Sequence, residues 1–196
     1  MSIAKNTQFF LPCTPTLKNK FAVCLRDWWY NFKFMDKLAA CGALDFIGIN
    51  YYSPSIVNVG GWGLRSLILD VCSSGHHPFK KNSMGWYIYP EGLYGLLTGF
   101  KKYHLPIIIT ENGICTTDDN LRWDYIRRHL AAVSRAISEG ADVRGYLYWS
   151  LLDNFEWDKG FGPRFGLIEV DYRTFARTVR DSARRYAEVC QSGKLI

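Results

Sequence analysis

The chain has 196 residues, 48% of them hydrophobic and 16% aromatic, with a formal net charge of +6. That length suits one domain or a long part of one, and the apolar content excludes a disordered chain. Charges of both signs are mixed; the densest basic stretch, Arg173, Arg177, Arg180, Arg184 and Arg185, has the spacing of a solvated helix face rather than a nucleic-acid surface.

An irregular N-terminal segment is expected over 1–24, and one folded unit over 25–196. The aromatic-rich stretch FAVCLRDWWYNFKFMDKLAAC at 21–41 reads as partly helical, and Gly42 ends it. LDFIGIN at 44–50 is a short apolar run suited to a buried strand. A long irregular segment rich in Gly, Ser, Pro and Asn follows from about 53 to 85, with room for a short hairpin or two. Pro90 suits a first helical turn, and Leu93, Leu96, Leu97 and Phe100 follow at helical spacing, predicting a helix over about 90–102.

Leu105–Thr110 is the second predicted strand. Asp118, Asp119 and Asn120 offer capping groups, and Ile126, Leu130, Val133 and Ile137 form a helical stripe that Gly140 closes. VRGYLYWS at 143–150 is the third strand. A loop reaches to about 165, FGLIEVDY follows, and a last helix is expected over 174–190 with Phe175, Val179, Ala183, Tyr186 and Cys190 on one face.

Repeated βα connection predicts an α/β fold with parallel strands and flanking helices. A (β/α) barrel and an open doubly wound sheet both produce that order. Neither GxGxxG nor GxxxxGK[ST] is present, which removes support from the nucleotide-binding versions of the open sheet. Six scattered cysteines without a CxxC fit a reducing, cytoplasmic setting better than a disulfide framework or a zinc cluster. The first 20 residues do not read as a signal peptide, and no run of 18 apolar residues marks a membrane span. No cofactor or metal is expected. His76 and His77 lack visible metal partners, and His104 and His129 read as structural.

The strand ends carry the chemistry. The first ends in Asn50-Tyr51-Tyr52, the second in Thr110-Glu111-Asn112, and the third in Trp149-Ser150, followed by Glu156 and Trp157. In a (β/α) barrel those ends converge on one face. Carboxylates accept hydrogen bonds from sugar hydroxyls, and indole faces suit the C–H face of a sugar ring. Glu111 is either a nucleophile, oriented by a hydroxyl such as that of Tyr52, or a cap for the turn; spacing leaves both open. Glu156 is equally readable as a surface carboxylate, and Trp149 and Trp157 as core packing.

LDFIGINYY at 44–52, YPEGL at 89–93, IITENG at 108–113, YWSLLDNFEW at 148–157 and RFGLIEVDY at 164–172 together resemble glycoside hydrolase family 1, the β-glucosidase family. The resemblance runs from roughly residue 25 to 190. It implies part of a (β/α)8 TIM barrel, corresponding to strands six to eight, and retaining hydrolysis of β-linked glucosides or galactosides. It places Glu111 as the nucleophile with Tyr52 hydrogen-bonded to it. Asn50, Trp149, Glu156, Trp157 and Phe165 then bind the sugar, and Trp62 stands in a variable entrance loop. Where the family has Glu after the Trp of its GWEIYPEGL block, this chain has Tyr87.

Members of the family are more than twice this long, and their acid/base glutamate lies in an Asn-Glu-Pro motif at the end of strand four. No such motif occurs here. The resemblance therefore implies a chain lacking the acid/base half. Two further readings follow: an inactive sugar-binding or partner-binding fragment, or one subunit of a split glycosidase. Self-association or a separate N-terminal barrel portion would supply the missing contacts.

Overall fold

The computed structural model describes residues 2–61, 63–69 and 77–195, so Trp62, Cys72 and His76 lie outside the described residues. In chain order the elements are β1 (Ser2–Asn6), β2 (Phe9–Pro12), α1 (Leu17–Asp27), a π-helical turn (Trp28–Phe32) and α2 (Lys33–Ala40). Then come β3 (Phe46–Asn50), β4 (Pro54–Val57), α3 (Leu64–Leu69), α4 (Pro90–Phe100), β5 (Ile107–Asn112) and α5 (Asp119–Ser138). The chain ends with β6 (Val143–Tyr148), β7 (Ile168–Val170), β8 (Arg177–Val179) and α6 (Asp181–Ser192).

The main sheet has the order β1-β3-β5-β6, and every pairing in it is parallel. This is the expected α/β architecture, a partial barrel of parallel strands flanked by helices, with four strands rather than three. The additional strand comes from residues 1–24, where irregular chain was expected. SIAKN is too short and mixed to announce a strand, but β3 supplies a full parallel ladder for it. FFLP likewise pairs with β4 over Phe9–Pro12, and α1 starts at Leu17, capped by the Thr16 hydroxyl.

The two faces of the sheet differ. Ile47 and Ile49 of β3 and Ile107 and Ile109 of β5 point to one side. There they pack with Leu93, Leu96, Leu97 and Phe100 of α4 and Val133 and Ala136 of α5, forming the main core. Alternation sends Gly48, Asn50, Ile108, Thr110, Gly145 and Leu147 to the other side, the side a barrel turns inward. The Thr110–Asn50 side-chain hydrogen bond of 2.5 Å and the close approach of Gly145 to Ile108 place these residues on a common face.

The C-terminal segment also differs from expectation. The helix predicted over 174–190 begins only at Asp181, because Arg177–Val179 pairs antiparallel with β7. Phe175 and Val179, expected on its apolar face, lie instead in the hairpin turn, with Phe175 at φ 59°, and in β8. Among the described residues no helix is long and apolar enough to cross a membrane.

Candidate active site

Strand alternation alone would send Glu111 to the helix-covered side, in phase with Ile107 and Ile109. The register shifts between Ile109 and Asn112 against β6, and again at Asn50 against β3. These irregularities at the strand ends re-aim the side chains. Glu111 turns to the open end of the sheet, and Asn112 takes the buried position behind it.

Asn112 is fully buried and fully bonded. Its Nδ2 donates to the Tyr51 carbonyl at 2.6 Å and the Tyr125 hydroxyl at 2.9 Å, and its Oδ1 accepts from the Tyr146 hydroxyl at 2.7 Å. One side chain thus ties β5, β6, α5 and the residue that follows β3 together immediately beside Glu111. Its carbonyl accepts from the Trp149 amide at 3.0 Å, fixing the end of β6. The next residue, Gly113, has no room for a side chain, because a Cβ there would fall on the Trp149 carbonyl oxygen.

The Tyr52 hydroxyl donates to Glu111 Oε2 at 2.7 Å. Burial first, and then the Glu111 carboxylate, push the Tyr52 phenol well above its ordinary pKa, so it remains a donor. Asn50 is the register partner of Glu111 and donates through Nδ2 to Asn6 at 3.1 Å. Glu156 is held above the ordinary carboxylate range by burial, by the charge of Glu111 and by Asp158, while a hydrogen bond with Trp149 pulls it down. Phe165 is 2% exposed and presents its ring edge-on to Tyr52, with centroids 6.3 Å apart. Trp157 stands at the rim, 82% exposed.

Asp153 holds the wall that carries Phe165. This buried carboxylate accepts from the Gly166 amide at 2.8 Å and pairs with Arg180 at 3.0 Å and Arg164 at 3.2 Å. Burial raises its pKa, but the Arg180 and Gly166 hydrogen bonds outweigh it and leave the carboxyl below its usual range. The Leu167 amide in turn donates to the Ser150 carbonyl at 2.8 Å, stitching the segment after Phe165 to the segment after Trp149.

Asn50, Tyr52, Glu111, Trp149, Glu156, Trp157 and Phe165 all line one cleft of about 560 Å³. Glu111 and Glu156 are the acidic residues among its described lining. The same cleft includes Tyr30 and Trp86, which sequence reasoning did not assign to it. Trp86 stands in the block before YPEGL and packs near both Tyr52 and Phe165, with centroids 5.8 and 6.1 Å away. That block was the available signal for it. Tyr30 sits on the π-helical turn, for which the sequence offered no cue. His129 and His77 lie outside the cleft lining: His129 is buried against Tyr125, and His77 stacks on Phe79 at 4.8 Å. Among the described residues no cluster of His, Cys, Asp and Glu could hold a metal ion.

The family model described as glycosyl hydrolase family 1 matches residues 16–195. A β-galactosidase from Saccharolobus solfataricus is 43% identical over 163 residues, covering 79% of this chain and 33% of its own length. Beta-glucosidase A from Thermotoga maritima is 38% identical over 163 residues, covering 78% of this chain and 35% of its own. Among solved structures, a beta-glycosidase from Pyrococcus horikoshii superposes with a TM-score of 0.90 at 40% identity, covering 100% of this chain and 49% of that one. A β-glucosidase from Thermotoga maritima in complex with glucoimidazole gives 0.83 at 30% identity, covering 97% and 50%. The chain thus spans about a third of the length of these curated relatives and about half of these solved chains.

Proposed function

The chain belongs to glycosyl hydrolase family 1, and from that premise we propose that it is the nucleophile-bearing half of a retaining β-glycosidase site for β-linked glucosides or galactosides. The hydrogen bond from Tyr52 to Glu111, at the open end of a parallel sheet and inside a tryptophan-lined cleft, carries this reading. A retaining mechanism needs a carboxylate that attacks the anomeric carbon and a second carboxyl group, about 5–5.5 Å away, that protonates the leaving oxygen. In this reading Glu111 is the first. Tyr52 holds one of its oxygens and leaves the other to attack.

Asn50, Glu156 and Trp157 bind sugar hydroxyls, Trp149 offers its indole face to the ring, and Phe165 closes the pocket behind it. The acid/base carboxyl comes from the other half of the barrel, outside these 196 residues. An inactive sugar-binding fragment and one subunit of a split enzyme are the same assembly without and with that half. The scattered cysteines fit a reducing, cytoplasmic location for either.

Substrate chemistry can test this without the missing acid. An alkyl glucoside needs its leaving oxygen protonated, whereas a dinitrophenolate departs with the electron pair of the broken C1–O bond and needs no proton. Incubation with 2,4-dinitrophenyl 2-deoxy-2-fluoro-β-glucoside is expected to leave one fluoroglycosyl group esterified to Glu111, read by peptide mass spectrometry. Alkyl β-glucosides are expected to show no turnover. An adduct on another residue, or one that survives E111Q, would remove Glu111 from the nucleophile role.

A further inference from the structure

We propose that Thr110, the residue before Glu111, is a positioning residue: its hydroxyl fixes the side-chain amide of Asn50, and through it that of Asn6, so that both turn N–H groups rather than oxygens into the cleft. This deepens the proposed function and rests on Glu111 being the nucleophile. Side chains from three neighbouring strands form one hydrogen-bonded row. The Thr110 hydroxyl on β5 donates to Asn50 Oδ1 at 2.5 Å, and Asn50 Nδ2 at the end of β3 donates to Asn6 Oδ1 at the end of β1 at 3.1 Å. Asn6 and Asn50 line the cleft; Thr110 stands outside its lining and reaches a ligand through them. The Asn50 carbonyl is held separately, by the Thr7 amide at 2.9 Å and the Thr7 hydroxyl at 2.8 Å. What Thr110 sets is therefore the side chain of Asn50, not its backbone.

An asparagine amide has two orientations, which exchange its oxygen for its nitrogen. The Thr110 proton selects between them. Among the described residues, Asn50 Oδ1 is the acceptor for that proton. With Asn50 turned over, Nδ2 faces Thr110 and the hydroxyl proton loses this acceptor. Asn50 Oδ1 then takes a proton from the Asn6 amide, and Asn6 shows its oxygen to the cleft. In the observed orientation Asn50 has its second N–H, and Asn6 its own N–H groups, to offer a ligand.

Donors matter in this cleft. Glu111 and Glu156, when ionised, accept hydrogen bonds and donate none. Neighbouring donors are already engaged: the Tyr52 hydroxyl on Glu111 at 2.7 Å, Gln8 Nε2 on the Ser53 carbonyl at 2.7 Å, and the Thr7 hydroxyl on the Asn50 carbonyl. Asn50 is the register partner of Glu111, so an Asn50 turned over would set a further acceptor beside the carboxylate. Turned as observed, the two amides donate to ether and hydroxyl oxygens of a glycoside, whose own hydroxyl protons go to the carboxylates.

NMR of the whole chain with its asparagine side chains labelled with nitrogen-15 reads the orientation directly. In the parent, contacts from the Asn50 amide protons are expected to run to Asn6 and not to the Thr110 side chain. Thr110→Val keeps the shape and removes the hydroxyl proton. Asn50 is then expected to populate both orientations, and 2,4-dinitrophenyl 2-deoxy-2-fluoro-β-glucoside is expected to label Glu111 about fivefold more slowly. Thr110→Ser keeps the hydroxyl without the methyl group and is expected to restore both readouts, which a packing role would not. Asn50 amide protons that face Thr110 in the parent, a Val variant that keeps the parental amide pattern or the parental labelling rate, or a Ser variant as slow as the Val variant would overturn the proposal. A parent whose Glu111 stays unlabelled would count against the nucleophile instead, and the amide contacts would still decide the orientation of the row.

Discussion

His129→Phe is expected to flatten the acid sensitivity of this fold. The imidazole is fully buried on α5 and stacks on Tyr125, with ring centroids 3.8 Å apart. Its Nδ1 lies 2.8 Å from the Tyr125 carbonyl, so the neutral ring donates there. Burial is the largest influence and depresses the histidine from 6.5 to about 3. Between those values the unfolded chain takes up a proton that the folded chain refuses. Stability from this group is therefore complete above about pH 6.5 and is lost progressively as the pH falls towards 3. Each pH unit inside that window corresponds to about 1.4 kcal/mol. Going from pH 7 to pH 5 thus costs about 2 kcal/mol, a large share of a typical total of about 5–15 kcal/mol. Phenylalanine keeps an aromatic ring against Tyr125 and cannot titrate. It forfeits one hydrogen bond, about 1 kcal/mol at pH 7. Urea unfolding of both proteins at pH 7 and pH 5 gives the difference of differences, in which the other titrating groups cancel. The variant is expected to lose about 2 kcal/mol less than the parent. Equal losses in the two proteins would show that His129 is protonated, or hydrated, in the folded state.

Three further outcomes follow from the cleft. Because the charge of Glu111 helps to raise Glu156, E111Q is expected to lower the Glu156 pKa, measured by carbon-detected NMR titration of the labelled carboxyl; no downward movement would mean the two groups do not share a field. Asn112→Ala leaves the Tyr51 carbonyl and the Tyr125 and Tyr146 hydroxyls without their partner, at about 1–3 kcal/mol each, so a loss of at least about 3 kcal/mol is expected in denaturant unfolding. Gly113→Ala drives a methyl group into backbone rather than into a movable side chain, and is expected to cost about 3 kcal/mol or more and to disturb the Trp149 indole fluorescence; an unchanged spectrum and midpoint would contradict the close approach.

The strands that build the cleft were legible because burial writes continuous apolar runs. LDFIGIN and VRGYLYWS contain the strands observed at Phe46–Asn50 and Val143–Tyr148, and the strand expected over Leu105–Thr110 is observed two residues further on, at Ile107–Asn112. The seven candidate site residues were legible from motif blocks at strand ends, and the fold brings all of them to one cleft. What escaped was structure set by partners. SIAKN and FFLP are strands because β3 and β4 offer them ladders, not because of any local pattern. Phe175 and Val179 mimic helical spacing, yet β7 draws Arg177–Val179 into a hairpin. The aim of Glu111 was also invisible locally. Strict alternation gives the wrong face, and only the register shift at the strand end corrects it.

The same patterns bear on what surrounds the chain. Strands covered on one face alternate apolar and polar residues, whereas strands covered on both read as near-continuous apolar runs. IIIT at 107–110 and FIGI at 46–49 are of the second kind. Among the described residues, one face of these strands meets α4 and α5. On the other, among the described residues, Ile108 and Leu147 are apolar side chains without a helical layer above them, and Gly145 leaves room for Ile108. Selection for this chain alone would favour polar residues at Ile108 and Leu147, as on the open face of any half-covered sheet. Their apolar character is the mark of a covered interior. In the proposed reading, whatever closes that face also sets the wall of the cleft opposite Glu111, so completing the core and completing the site are one event. On that reading, the half that fills the barrel also determines whether a second carboxyl group stands across from Glu111.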